Sequence, residues 1–217
     1  MKTYIANNAD AARLAALPTG GKAAIWLPCK HSIELMSDTD VNNPECYKVH
    51  TNSGEFTEDG ETLTLMDYLP LPLNVPIYVR EAWNVSLKEE LTPNEFTIPA
   101  IDWGDDRFYV FKAGNEHDNN PAHHEWGKKT WKRTVTMPRE AARTWLLTTA
   151  VQVKRVQEMD VNDLWDLKYN APQSEILPYR LVLLELFKAD FIAKRSQQEW
   201  DENRYIFLFN VTKVEKP

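Results

Sequence analysis

Two long strand-like stretches, 145–156 and Tyr205–Val214, flank the longest helical pattern in the chain, 174–198, and this order most constrains the fold. The first stretch alternates through Val151 and Val153 toward Val156. The second sets Tyr205, Phe207, Phe209 and Val211 against Ile206, Leu208, Asn210 and Thr212. A period of two places each set on its own sheet face. Shorter strands are predicted at Lys22–Pro28, 77–79 and 107–113, and a hairpin over 47–50 and 62–65. Helices are predicted at 8–17, closed by Pro18 and Gly20, and at 160–167, with Asp160 as its cap. Met137 to Arg143 reads as a short helical turn. Strands separated by helices without a repeating βα rhythm indicate an α+β fold rather than a doubly wound sheet. With no internal repeat and no linker of boundary quality, residues 1–217 read as a single domain.

The formal net charge of −7 argues against a protein that coats nucleic acid non-specifically, because such binding rests on neutralising phosphates. The charge is uneven, however. Lys128, Lys129, Lys132, Arg133, Arg139, Arg143, Lys154 and Arg155 crowd one segment in which Glu140 is the only acid. Such a stretch is either a local anion site or a solvated face paired to acidic neighbours. Residues 1–8 lack the apolar core of a signal peptide, and 176–191 is too short and too polar to span a bilayer. With two cysteines there is no disulfide framework, so the expected compartment is a reducing cytoplasm.

Four segments carry a family resemblance. They are Ile77-Tyr78-Val79-Arg80-Glu81-Ala82-Trp83; Tyr109-Val110-Phe111-Lys112-Ala113; the block from Trp131 through Met137-Pro138-Arg139-Glu140-Ala141-Ala142-Arg143, with the strand and Gln157-Glu158-Met159 after it; and Trp200-Asp201-Glu202-Asn203 before the closing strand. In this order they resemble phage-encoded ASCH/PUA-like domain proteins, often called phage morphogenesis proteins. The resemblance covers 77–216, and residues 1–70 are the divergent part. It implies a PUA-like (ASCH-type) small β-barrel with flanking helices and an N-terminal extension. The family's opening signature is degenerate here: Gly20-Gly21-Lys22 fits its Gly-x-Lys, but Ala23-Ala24-Ile25-Trp26 stand where Thr, Thr and Arg-Arg are expected. Arg204 stands where the closing strand usually has Pro.

The implied function is binding of RNA or a nucleotide-like ligand in a cleft lined by Arg80, Glu81, Lys112, Trp131, Arg139 and Arg143. Arg139 and Arg143, four apart, would share one face of a helical turn and clamp a phosphate, or else pair with Glu81 or Glu140 as scaffold. Trp83, Trp103, Trp126 and Trp131 lie in polar surroundings, where an indole either stacks on a base or joins the core. A second function class is a protein–protein module that blocks a host protein or serves phage assembly, through the acidic 102–106 and Asp201-Glu202 patches. A third is an amidohydrolase on a modified nucleoside, with Lys22 and Glu81 in the places of the family's Lys and Glu but no counterpart of its Thr.

No resident cofactor is expected. The alternative is zinc, since Cys29-x-His31 and Cys46-x3-His50 supply four ligand-type side chains. No membrane partner is expected.

Overall fold

The alternating segments become strands in the computed structural model, which describes residues 3–30, 32–35, 42–50, 64–87, 98–99, 107–113, 131–167 and 179–217. The elements in chain order are β1 (Thr3–Ile5), α1 (Asn8–Ala16), β2 (Lys22–Pro28), β3 (Ser32–Leu35), β4 (Tyr47–His50), β5 (Pro76–Arg80), β6 (Trp83–Leu87), β7 (Ile98–Pro99), β8 (Arg107–Phe111), β9 (Trp145–Arg155), α2 (Val161–Asp166), α3 (Tyr179–Lys194), α4 (Gln197–Asp201) and β10 (Tyr205–Val214). The fold is α+β. Its largest sheet runs β1-β5-β9-β10-β2, beside a two-stranded sheet β3-β4 and a three-stranded sheet β6-β8-β7. None of the three closes into a barrel among the described residues. Also among them, no helix is long and apolar enough to cross a membrane.

The chain divides into two compact units. Unit 1 gathers residues 1–21, 75–147 and 213–217; unit 2 gathers 22–74 and 148–212. They interleave in sequence, so neither coincides with the division at 70–77 suggested by the resemblance. Charge divides unequally between them. Unit 1 holds 14 Lys and Arg against 13 Asp and Glu, whereas unit 2 holds 11 against 19, so the acidity belongs to unit 2.

Unit 2 is built on the antiparallel ladder that sets Ile206 through Thr212 of β10 opposite Pro28 through Lys22 of β2. One face carries Ala24, Trp26, Ile206 and Leu208, and it packs against Leu164 of α2, Leu183, Phe187 and Phe191 of α3, and Trp200 of α4. The Trp26 indole lies 5.2 Å from the Phe191 ring, and its N–H donates to Asp190 at 3.0 Å. Of the second arm of the hairpin expected between 47–50 and 62–65, residues 62–63 lie outside the described residues. An antiparallel bridge joins Lys48 to Thr64, and β4 also pairs with β3, in register Ser32–His50 to Leu35–Tyr47. The longest helix is also shorter than its sequence pattern. It ends at Lys194, and Ser196 starts α4 by accepting from the Glu199 N–H.

Asp160 caps α2 as its position predicts. Its carboxylate accepts from the N–H groups of Asn162 and Asp163, and the Asp163 side chain returns a bond to the Asp160 N–H. Lys154 holds Asp163 at 3.0 Å and Asp160 at 3.6 Å. The Asp163 backbone bond, aided by that of Asn162, draws the Asp160 carboxyl below its ordinary 3.8. Replacing Asp160 by Ala is therefore expected to cost about 1 kcal/mol at neutral pH. Because the folded value is the lower one, the charge-dependent part of the cap is present above the unfolded value and fades as pH falls through the folded one. Denaturation of wild type and Asp160→Asn across pH 2–7 checks this: the wild-type advantage should vanish at the acid end.

Unit 1 is ordered by β5, which lies parallel to β1 and antiparallel to the start of β9. Beside it β6 pairs along its length with β8, Trp83 opposite Phe111. The aromatic residues these strands supply make the core beneath the candidate site.

Candidate functional site

Strand alternation in unit 1 sends Tyr78, Trp83, Tyr109, Phe111 and Trp145 into one buried cluster with Met137, Ala141 and Ala142. Residues 131–142 are strapped along this cluster by hydrogen bonds of backbone and side chain. The Lys132 N–H donates to the Trp83 carbonyl at 2.9 Å, the Arg80 guanidinium donates to the Val135 carbonyl at 3.0 Å, and the Glu81 N–H donates to the Met137 sulfur at 3.3 Å. The short helical turn expected over Met137 to Arg143 is a single 3-10 turn rather than α-helix. The strap contains two single 3-10 turns, Thr134–Thr136 and Arg139–Ala141, and Ala142 is already extended. Arg139 and Arg143 consequently do not share a helix face. Pro138 lies just before the second turn with an extended ψ of 154°, which prevents an α-helix from being set up across it.

The two arginines have different tasks. Arg143 is held in the interior, where Nε and Nη2 donate to the two oxygens of Glu81 at 2.8 and 2.7 Å and Nη2 also donates to the Ala113 carbonyl. The Glu81 side chain is 1% exposed and that of Arg143 9%, so the pair is buried. Burial pushes the Glu81 carboxyl up, and the Arg143 guanidinium opposes that shift. Arg143 also lies over the Phe111 ring at 4.6 Å. Of the readings open for this arginine, the geometry displays the scaffold pair with Glu81. Arg139 instead is exposed, with its guanidinium 5.2 Å from the Trp145 ring.

Four buried rings of the cluster carry a cation. Besides these two, Arg80 lies 5.4 Å from Tyr78 and Lys132 lies 4.5 Å from Trp83. Arg80 also donates twice to the Tyr78 hydroxyl, so its head group is largely committed. Arg133, Arg139 and Lys112 enter no ion pair among the described residues. Two indole N–H groups of the cluster, on Trp83 and Trp145, and the Thr144 hydroxyl are buried with no hydrogen-bond partner among the described residues. Buried polar atoms of this kind normally find one.

All six residues expected to line the cleft, Arg80, Glu81, Lys112, Trp131, Arg139 and Arg143, thus fall in unit 1. Glu81 and Arg143 form its interior pair. Trp131, half-buried, Lys112 and Arg139 remain accessible. Trp83 is buried against Tyr109 and Lys132, which leaves no open face for a base. Trp103 and Trp126 lie outside the described residues. Sequence reasoning put Arg133 in the basic run but not in the site, although it is exposed on the strap. It missed Lys213, whose ammonium donates to the carbonyls of Ala15 and Leu17 at the C-terminal end of α1. Burial, with Arg143 nearby, lowers the pKa of this lysine.

Lys22 is exposed at the start of β2, in unit 2. Cys29 and Cys46 are half-buried and are not joined in a disulfide with each other. His31 and the His50 side chain lie outside the described residues. Among those described, no three His, Cys, Asp or Glu side chains gather as metal ligands.

No family model, curated protein or solved structure matches this chain.

Proposed function

We propose that unit 1 binds single-stranded RNA or a nucleotide-like ligand along the basic strap 131–142. The observation that supports this most strongly is the layer of cations over a rigid aromatic core, in the one unit where basic residues outnumber acidic ones. Arg133 and Arg139 supply phosphate contacts and Lys112 a third charge. Trp131 supplies an indole face for a base. The Glu81–Arg143 pair plays a positioning part: it ties the end of β5 to the residue before Thr144 and fixes the direction in which the strap leaves the core. The reading also takes the fold as PUA-like. The α+β architecture and the order of the four resembling segments support that, and the barrel is its finer, proposed form.

Fluorescence anisotropy with a short single-stranded RNA tests the binding. Three phosphate contacts predict a slope of log affinity against log salt of about −2, since single strands lose roughly 0.7 per contact. Changing Arg133, Arg139 and Lys112 together to Ala should weaken binding at least ~30-fold and flatten that slope. An affinity indifferent to salt and to these substitutions would overturn the proposal and favour a protein partner.

A further inference from the structure

The face of the β2–β10 ladder away from the helices carries a second feature, independent of the strap. Leu27 and Phe207 are cross-strand partners, so their side chains share a face, opposite to that of Trp26 and Leu208. Together with Pro28, Lys30, Tyr68, Pro70 and Arg195 they line a cavity of about 350 Å³ within unit 2. That volume is at the small end of the ~300–1,000 Å³ typical of small-molecule sites.

Its walls are stiff. Tyr68 ends a 3-10 turn, Leu65–Tyr68, closed by reciprocal bonding of Thr64 and Asp67. Two prolines fix adjacent backbone, and beyond Pro70 the Thr148 hydroxyl donates to the Pro72 carbonyl. The lining is apolar and aromatic at Leu27, Phe207 and Tyr68, and both of its charged residues are cations. Arg195 is bidentate to Glu199, at 2.7 and 2.6 Å, so it offers its stem and its remaining N–H groups. Lys30 is exposed and enters no ion pair among the described residues.

We propose that this cavity binds a small free organic acid with an aromatic body and one carboxylate. The ring sits against Phe207, Leu27 and the prolines, and the carboxylate meets the Lys30 ammonium. The Lys30 ammonium in the lining selects the anion over its neutral analogue. A preformed wall lowers the ordering cost of binding.

Calorimetric titration of the full chain with 3-phenylpropionate and with 3-phenylpropanol, which lacks the charge, tests this. The acid should bind saturably and about fivefold more tightly than the alcohol, the gain of one exposed charge pair. Lys30→Gln should abolish that preference and leave the alcohol's affinity unchanged. Leu27→Trp should fill the cavity and abolish binding of both. If Leu27→Trp fails to fold by its melting curve, Lys30→Gln still decides, because Lys30 is exposed. Equal affinity for acid and alcohol, a preference that survives Lys30→Gln, or no saturable binding by either ligand would overturn the proposal.

Discussion

Replacing Glu81 by Ala should lower the stability of the protein by about 3–5 kcal/mol, because it leaves the buried Arg143 guanidinium without its counter-ion. Glu81→Gln keeps an acceptor for one of the two guanidinium bonds, so its loss should be clearly smaller. Arg143→Met removes the charge and fills much of its volume. Combining it with Glu81→Gln should recover part of the stability lost in either single variant, since a buried pair replaced by neutral groups carries no uncompensated ion. Urea denaturation of the four proteins checks this by a double-mutant cycle. Losses that simply add would mean that the two side chains do not act as a pair.

The second large effect belongs to unit 2. Phe187 is fully buried and lies within 5.9–6.3 Å of the rings of Trp26, Phe191 and Trp200. Phe187→Ala should cost about 3–5 kcal/mol through lost transfer energy and a cavity in a close-packed cluster. Phe187→Leu keeps most of the volume and should cost about half as much. Thermal unfolding followed by near-ultraviolet dichroism reads both, since Trp26 and Trp200 share the cluster. An Ala variant that loses less than about 1 kcal/mol would contradict the packing described for α3.

These predictions draw on parts of the molecule that the sequence reveals unequally. The strands 145–155 and 205–214 are legible from their alternating character, and 22–28 as a short continuous apolar run. The Asp160 cap is legible because capping is local, reaching only to Asp163. Pairings are not local. The pairing of β4 with β3 is not written in either segment's own pattern and depends on tertiary contacts. β6 is not legible because Trp83–Leu87 follows β5 after two residues, with no Gly or Pro between them to mark a second strand. The spacing of Arg139 and Arg143 suggested a shared helix face because the residue types between them suit a helix. What separates the arginines is the single turn after Pro138 and the pull of Glu81, 62 residues away in sequence. The candidate site was therefore readable as a set of residues, but not as an interior pair beneath an exposed, charged strap.

The most direct test of nucleic-acid binding by unit 1 is photo-crosslinking of the full chain to a short RNA containing 4-thiouridine, with the attached peptides mapped by mass spectrometry. Crosslinks concentrated at Trp131 and its neighbours through Arg139, lost in high salt and competed by unlabelled RNA, are the predicted result. Crosslinks confined to unit 2, or none above those to an unrelated acidic protein, would contradict it.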